Sequence, residues 1–212
     1  NTVSAFDKPH FLRIFTGLVY LFLFVPIAVV VLFSFNSQKS LQVMDGLSLR
    51  WYEDFWNDPT LRDSLFTSIE IALITMVVAT VLGTALAIGL VRARSGTSSS
   101  ANVLMLVPLI TPEIVAGISA LLIFSQLGIA LSFWTIVLAH ITFSISYVTI
   151  VVRGRLASIG LDVEEAAQDL GASRWGSVRL VLVPALWPAV VAAGLLIFAL
   201  SFADSVLSFF TT

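Results

Sequence analysis

The chain has 212 residues, 58% of them hydrophobic and only 11% charged, with a mean hydropathy of +1.01 and a net charge of −2. Soluble domains carry about a quarter charged residues, so this composition excludes an ordinary soluble enzyme and points to an integral membrane protein. The lack of cysteine excludes disulfides and thiolate metal sites. So small a net charge argues neither for nor against nucleic acid, and no nucleic-acid partner is expected.

A bilayer core of about 30 Å is crossed by roughly 20 apolar residues in a helix, and five stretches reach that length. The chain begins at Asn1 rather than Met, so a trimmed start is expected. Residues 1–13, with Lys8 and Arg13, form a short N-terminal segment, and residues 14–212 form one membrane domain. The first apolar run, 14–35, is too long for the core of a signal peptide and reads as a span. A polar loop, 36–64, follows, with Lys39, Arg50 and Arg62 against five acids. The second span is 65–91, followed by Arg92 and Arg94. The third is 103–124, a short uncharged link is 125–132, and the fourth is 133–152. A charged loop, 153–183, precedes the fifth span, 183–203. Each span must be a helix, because hydrocarbon offers no water to the backbone. The expected fold class is therefore all-α, a polytopic helical bundle.

Charge orients the spans. The N-terminal segment and the loops after the second and fourth spans hold eight of the eleven lysines and arginines. The positive-inside rule then places the N-terminus and both loops in the cytoplasm of a multi-pass protein. Trp51, Trp56 and Trp134 fall where outer interfacial anchors belong.

The last cytoplasmic loop, "DVEEAAQDLGASRWGSVRLVLVP", gathers Asp162, Glu164, Glu165, Asp169, Arg174 and Arg179 into 23 residues of an otherwise apolar chain. Val163, Ala166, Ala167 and Leu170 follow the i, i+3, i+4, i+7 rule and form one apolar stripe of a short helix. Asp162 with Glu165 resembles a capping box, and the acids suit the positive end of the helix dipole. Gly171 suits a left-handed stop, after which Ser173 caps a second helix through Trp175 and Val178, with Pro184 marking the start of the fifth span. An acidic polar face is wrong for resting on anionic lipid. Small residues such as Ala166 and Ala167 admit the close approach of a protein partner.

Acids inside a span are costly and are functional candidates by default. Glu113 lies near the middle of the third span, between Pro108 and Pro112, which free backbone carbonyls and favour a broken helix. Asp204 ends the fifth span, and Glu70 lies about two turns inside the second. Carboxylates with aromatic walls, for which Phe202 and Trp134 are candidates, suit an ammonium cargo with methylene stems. Gly83, Gly89, Gly117 and Gly194 suit close helix packing. Ser119 and His140 in adjacent spans raise the distant alternative of an intramembrane serine protease, against the plainer reading of His140 as an interhelical hydrogen bond. Neither lysine belongs to a phosphate loop, so ATP hydrolysis is not expected of this chain.

"EAAQDLGASRWGSVRLVLVP" resembles the E-A-A, G, I-x-L-P pattern of permease subunits of type I binding-protein-dependent ABC importers. Glu165, Ala166, Ala167, Gly171 and Pro184 fall in register, and Val181 and Val183 replace Ile and Leu. The stretches "LVPLITPEIVAGISALLIFSQLGIALSFWTIVLAHITFSISYV" and "ALSFADSVLSFFTT" extend the resemblance to the second permease of spermidine/putrescine importers. The resemblance implies a coupling helix fitting a cytoplasmic ATPase, with Glu165 through Ala172 as its contact and Asp162, Glu164, Asp169 and Arg174 beside it. It implies a polyamine pathway through Glu113, Asp204, Phe202, Trp134 and Glu70. It implies a second permease, two ATPase subunits that bind ATP and Mg, an extracytoplasmic binding protein, and a bacterial inner membrane. No cofactor or metal is expected on this chain itself. Six spans are implied, so a sixth is expected beyond the five seen. Ferric iron, thiamine or another small solute is the alternative cargo; an oxyanion would call for cations or helix N-termini rather than Glu113.

Overall fold

A computed structural model of the chain describes residues 9–40, 42–92, 95–160 and 162–212. Lys8 and Arg94, used above to orient the spans, lie outside the described residues, as do Asn1 and Thr2. The described elements are helical: α1 (Pro9–Phe33), α2 (Arg50–Asn57), α3 (Pro59–Arg92), α4 (Ser95–Ile110), α5 (Glu113–Gln126), α6 (Phe133–Ile159), α7 (Asp162–Asp169), α8 (Arg174–Ser177), α9 (Val183–Ala203) and α10 (Val206–Thr211). The chain divides into two compact units, 1–65 and 66–212.

The first unit holds α1 and the loop after it. α1 is apolar on every side, as a helix surrounded by hydrocarbon must be. Its end is fixed by Asn36, whose buried side-chain amide donates to the carbonyls of Ser40 (2.9 Å) and Val43 (2.7 Å) and accepts from the Asp45 N–H (3.0 Å). Three backbone groups are thereby satisfied by one side chain, which is what makes an asparagine tolerable in a buried position. The Trp51 indole donates to the Asn36 carbonyl (2.8 Å), and the Arg50 guanidinium lies 4.4 Å from its ring centre. Trp51 is thus half buried as a strut of the loop rather than an interfacial anchor, whereas Trp56 and Trp134 remain exposed.

α3, whose sequence crosses from the first unit into the second, is longer than the span expected for it. Its 34 residues extend about 51 Å at 1.5 Å each, so its ends project beyond the hydrocarbon. Glu70 then lies about three turns from the start of α3, and it is exposed. Small residues at Ala72, Thr75, Ala79, Gly83 and Ala87 recur every three or four positions and are buried. Such a stripe lets helices approach closely where lipid supplies no hydrophobic drive and packing must supply the attraction. A Cβ on Gly83 would lie 2.6 Å from Val148 Cβ, and one on Gly194 would lie 3.2 Å from Thr80 Oγ1. Gly117 is packed as closely, against Phe210. Gly89 differs from expectation, with nothing within 4 Å of its virtual Cβ. Ala79, Ala87, Val148, Val152, Leu186, Ala193 and Ile197 form the centre of the core joining α3, α6 and α9.

The third span is two helices. Val103–Ile110 and Glu113–Gln126 meet at 109°. Pro112 cannot donate a backbone hydrogen bond and disfavours helical geometry at Thr111, so the chain turns there. Among the described residues, four helices are long and apolar enough to span, or five spans if the bent pair counts as one. The loop before the fifth span also differs from the expected pair of separate short helices. After Gly171, α8 runs without interruption through a π-helical turn, Val178–Leu182, into α9, making one apolar helix of Arg174–Ala203. Pro184 follows the π-helical turn inside this continuous helix and marks no break.

Candidate functional site: a polar cavity and a charged corner

Two breaks in helical geometry build the cavity. At the first, Pro112 precedes α5 and makes Glu113 its leading residue rather than a mid-span one. A carboxylate there faces the positive end of the α5 dipole. At the second, α9 stops at Ala203 and Asp204 adopts an extended conformation with ψ 115°. Its Oδ1 accepts the Leu207 N–H at 2.9 Å, which starts α10 and turns it back. α10 packs on α5 and α6: Leu207 meets Ala116 and Ala139, and Phe210 fills the space that the missing Cβ of Gly117 leaves. The Thr135 hydroxyl donates to the carbonyl of Thr211 at 2.8 Å, tying the far end of α10 to α6.

Between these elements lies a cavity of about 220 Å³. Glu113 and Asp204, the two strongest candidates from the sequence, both line it. Thr111, His140, Ser144, Tyr147, Ser201 and Ser205 add polar groups, and Phe143, Leu200 and Leu207 add apolar wall. Its chemistry is two carboxylates, several hydroxyls and two aromatic rings. That combination can replace the hydration of an ammonium group and lie against a methylene stem.

The other pathway candidates fall elsewhere. Phe202 is largely exposed and stacks on Phe198, with centroids 6.0 Å apart. Trp134 is exposed and meets Phe133 edge-to-face. Glu70 is exposed on α3 and is not part of the cavity wall. The aromatic residues that do line the cavity are Phe143 and Tyr147. The signal for them was present: His140, Phe143, Ser144 and Tyr147 stand at i, i+3, i+4 and i+7 and form one helical stripe.

His140 and Ser119 are not paired. The Ser119 hydroxyl donates to Val115 O in its own helix (2.7 Å). His140 is buried, with Nδ1 2.7 Å from Ser201 Oγ and Nε2 3.2 Å from Ser208 Oγ. The protease alternative lacks its nucleophile–base contact, and the interhelical hydrogen bond describes this histidine. Among the described residues no three His, Asp or Glu side chains are placed to hold a metal ion.

The second candidate region is the corner between α7 and α8. Gly171 has φ +93°, a conformation that favours glycine, and nothing lies within 4 Å of its virtual Cβ. The Ser173 side chain accepts the Gly176 N–H at 3.0 Å, as expected of the cap. Asp162 begins α7 itself, in the first turn with Glu164 and Glu165, rather than standing before it as a cap. The apolar stripe is not the packed side of α7. Val163, Ala166 and Leu170 are exposed, Leu170 by 90%, while Glu164, Ala167 and Gln168 are half buried. Both Glu164 carboxylate oxygens accept from Arg92 Nη2, at 2.8 and 2.6 Å. Glu165, Asp169, Gly171 and Arg174 remain exposed, and Ala172 is half buried. A groove of about 1100 Å³ beside this corner is lined by Glu165, Gln168, Arg174, Trp175 and Trp187.

Residues 79–212 match the family model for the inner membrane component of binding-protein-dependent transport systems. The spermidine/putrescine transport system permease protein PotC of Haemophilus influenzae is 37% identical over 198 residues, covering 93% of this chain and 77% of that protein. PotC of Escherichia coli K12 is 34% identical over 198 residues, covering 93% and 75%. The putrescine transport system permease protein PotI of the same organism is 35% identical over 201 residues, covering 91% and 71%.

Proposed function

The chain belongs to the family of inner membrane components of binding-protein-dependent transport systems, and from that premise we propose that it is the permease subunit through which a polyamine, spermidine or putrescine, crosses a bacterial inner membrane. The observation that carries this cargo is the cavity that Glu113 and Asp204 share, with Phe143 and Tyr147 beside them. A polyamine presents ammonium groups separated by methylenes, and each ammonium must exchange its water for carboxylate and hydroxyl oxygens as it enters the membrane. The names of the relatives support the same cargo.

The partners are a second permease, two ATPase subunits that bind ATP and Mg, and an extracytoplasmic binding protein that delivers the polyamine. The N-terminus and the α7–α8 corner lie in the cytoplasm. The ATPase engages the exposed stripe of Val163, Ala166 and Leu170 with Glu165, Asp169 and Ala172, and closure of the ATPases moves the corner. Because α8 continues through the π turn into α9, that movement reaches Asp204 along one helix. This chain supplies the pathway and the lever, and the partners supply the hydrolysis.

The test uses the subunit assembled with its partners in lipid, with spermidine uptake and binding-protein-stimulated ATPase measured together. Glu113→Gln should lower uptake by about tenfold or more, since a hydrogen bond to a charged group is worth about 1.5–3 kcal/mol. ATPase stimulation should stay close to that of the unsubstituted complex. If the unsubstituted complex hydrolyses ATP on stimulation but takes up no spermidine or putrescine, the polyamine reading is wrong.

A further inference from the structure

His140 is buried and touches both sides of the break between α9 and α10. Nδ1 lies 2.7 Å from Ser201 Oγ on α9, and Nε2 lies 3.2 Å from Ser208 Oγ on α10. Between them in sequence stands Asp204, whose Oδ2 is 3.9 Å from the same Nε2. The Ser208 hydroxyl is directed at the Asp204 carbonyl, 3.2 Å away, so it offers His140 a lone pair rather than a proton. Assigned from this network, the ring hydrogen sits on Nε2, facing Ser208 and the Asp204 carboxylate, and Nδ1 accepts from Ser201.

The Asp204 carboxylate is therefore divided. Oδ1 is taken up in starting α10 through the Leu207 N–H. Oδ2 is the oxygen left for a cation in the cavity, and the imidazole edge stands beside it. We propose that His140 is a positioning residue of the cation site: it clamps α10 to α6 and α9 across the break and so fixes the direction in which Asp204 presents Oδ2 to the cargo. Without the clamp, α10 keeps its Thr135–Thr211 tie, its packing on Ala116, Ala139 and Gly117 and its Asp204 cap, but it loses the hydrogen bond to α6 beside Asp204, and Oδ2 is held less firmly in one direction. The clamp costs the site nothing in charge, because the ring spends both nitrogens on neutral hydroxyls.

This inference rests on the polyamine reading for its transport readout but not for its structural one. The natural chain has no cysteine, so the pair Ala139→Cys and Leu207→Cys, placed at two residues that pack together between α6 and α10, reports the position of α10 by disulfide yield. In the assembled complex, His140→Ala should lower that yield and lower spermidine uptake per ATP hydrolysed, each by roughly tenfold, on a scale of roughly threefold for each hydrogen bond lost inside a membrane protein. Ser208→Ala should give roughly a threefold loss of both on the same scale. His140→Gln, which can still donate to Ser208, should recover most of both. Binding-protein-stimulated ATPase activity is measured beside uptake in every variant, as the reference against which uptake is read. An unchanged disulfide yield in His140→Ala overturns the proposal, and so does a parallel fall of uptake and ATPase in all three variants, which is what a general packing role predicts. If no variant and not even the parent takes up spermidine, the cargo assignment fails, and the disulfide comparison still decides the role of His140.

Discussion

The cavity and the α7–α8 corner are both polar regions of an apolar chain, and they are built in opposite ways. Around the cavity the polar groups are spent on one another: His140 on Ser201 and Ser208, Asp204 on Leu207, Thr135 on Thr211. Buried polar groups in a membrane helix bundle must be paired, and a site made of them is held before its ligand arrives. At the corner the reverse holds. α7 buries no residue fully, its apolar stripe faces outward, and Leu170 is 90% exposed. An apolar and acidic surface with so little contact to its own chain suits a partner. In the function proposed above, one region holds something small, and the other is held by something large.

The largest expected effect breaks the second half of that comparison. Gly171→Trp places bulk in open space at the corner and forces a side chain into a backbone with φ +93°. Both binding-protein-stimulated ATPase activity and uptake should be lost. Gly171→Ala imposes the backbone strain alone, about 1–2 kcal/mol, and should leave a reduced but measurable coupled activity. Measuring the two variants side by side separates bulk from geometry. If Trp is tolerated as well as Ala, the corner is not a docking surface.

How much of each region the sequence disclosed follows from the range of the interactions that make it. The corner is local. Gly171, Ser173 and the acids of α7 act on neighbours within a few residues, and the stop, the cap and the favourable dipole all stand where their spacing puts them. What spacing could not tell is which side of α7 would be packed, because the ion pair of Glu164 is with Arg92, 72 positions away. The cavity is long-range. Pro108 and Pro112 announce a break, but not its 109° angle. The expected fifth span ends at 203, and the Gly117 notch and the Thr135 hydroxyl, far off in sequence, hold the stretch after Asp204 as a helix that closes a cavity. Phe202 looked like a wall because it stands next to Asp204 in the chain. Phe202 lies on α9 with its ring against Phe198, whereas Asp204 stands past the end of that helix.

A smaller effect is expected where the cavity is closed from outside its polar network. Phe210 occupies the notch at Gly117, where a Cβ would come within 2.7 Å of Phe210 Cδ2. Gly117→Val should therefore displace α10 at a cost of about 1–3 kcal/mol, the usual range for overpacking, read as a lower unfolding temperature of the purified complex in detergent. Phe210→Ala in the Gly117→Val background should restore part of the loss. The double-mutant cycle makes the test strict, because residues in contact couple and residues apart add. Additive effects would mean that α10 is not seated in that notch.

The smallest expected effect sharpens the comparison at the point where the two regions are least alike. Glu164 is the acid of α7 that the chain itself uses, its side chain only 13% exposed and bound to Arg92. Arg92→Ala should reduce stability by no more than about 1 kcal/mol, since a pair with one partner well solvated is weak. Its value lies in the exchange. In the double variant Arg92→Glu with Glu164→Arg, the ion pair is rebuilt with its charges reversed, so an internal role for Glu164 is satisfied. Coupled ATPase activity should then return close to that of the parent, measured as binding-protein-stimulated hydrolysis at low ionic strength, where surface pairs are screened least. A double variant that regains its unfolding temperature but not its coupling would place the Glu164 charge in the partner's contact surface after all. The working surface of α7 would then include the side that pairs with Arg92.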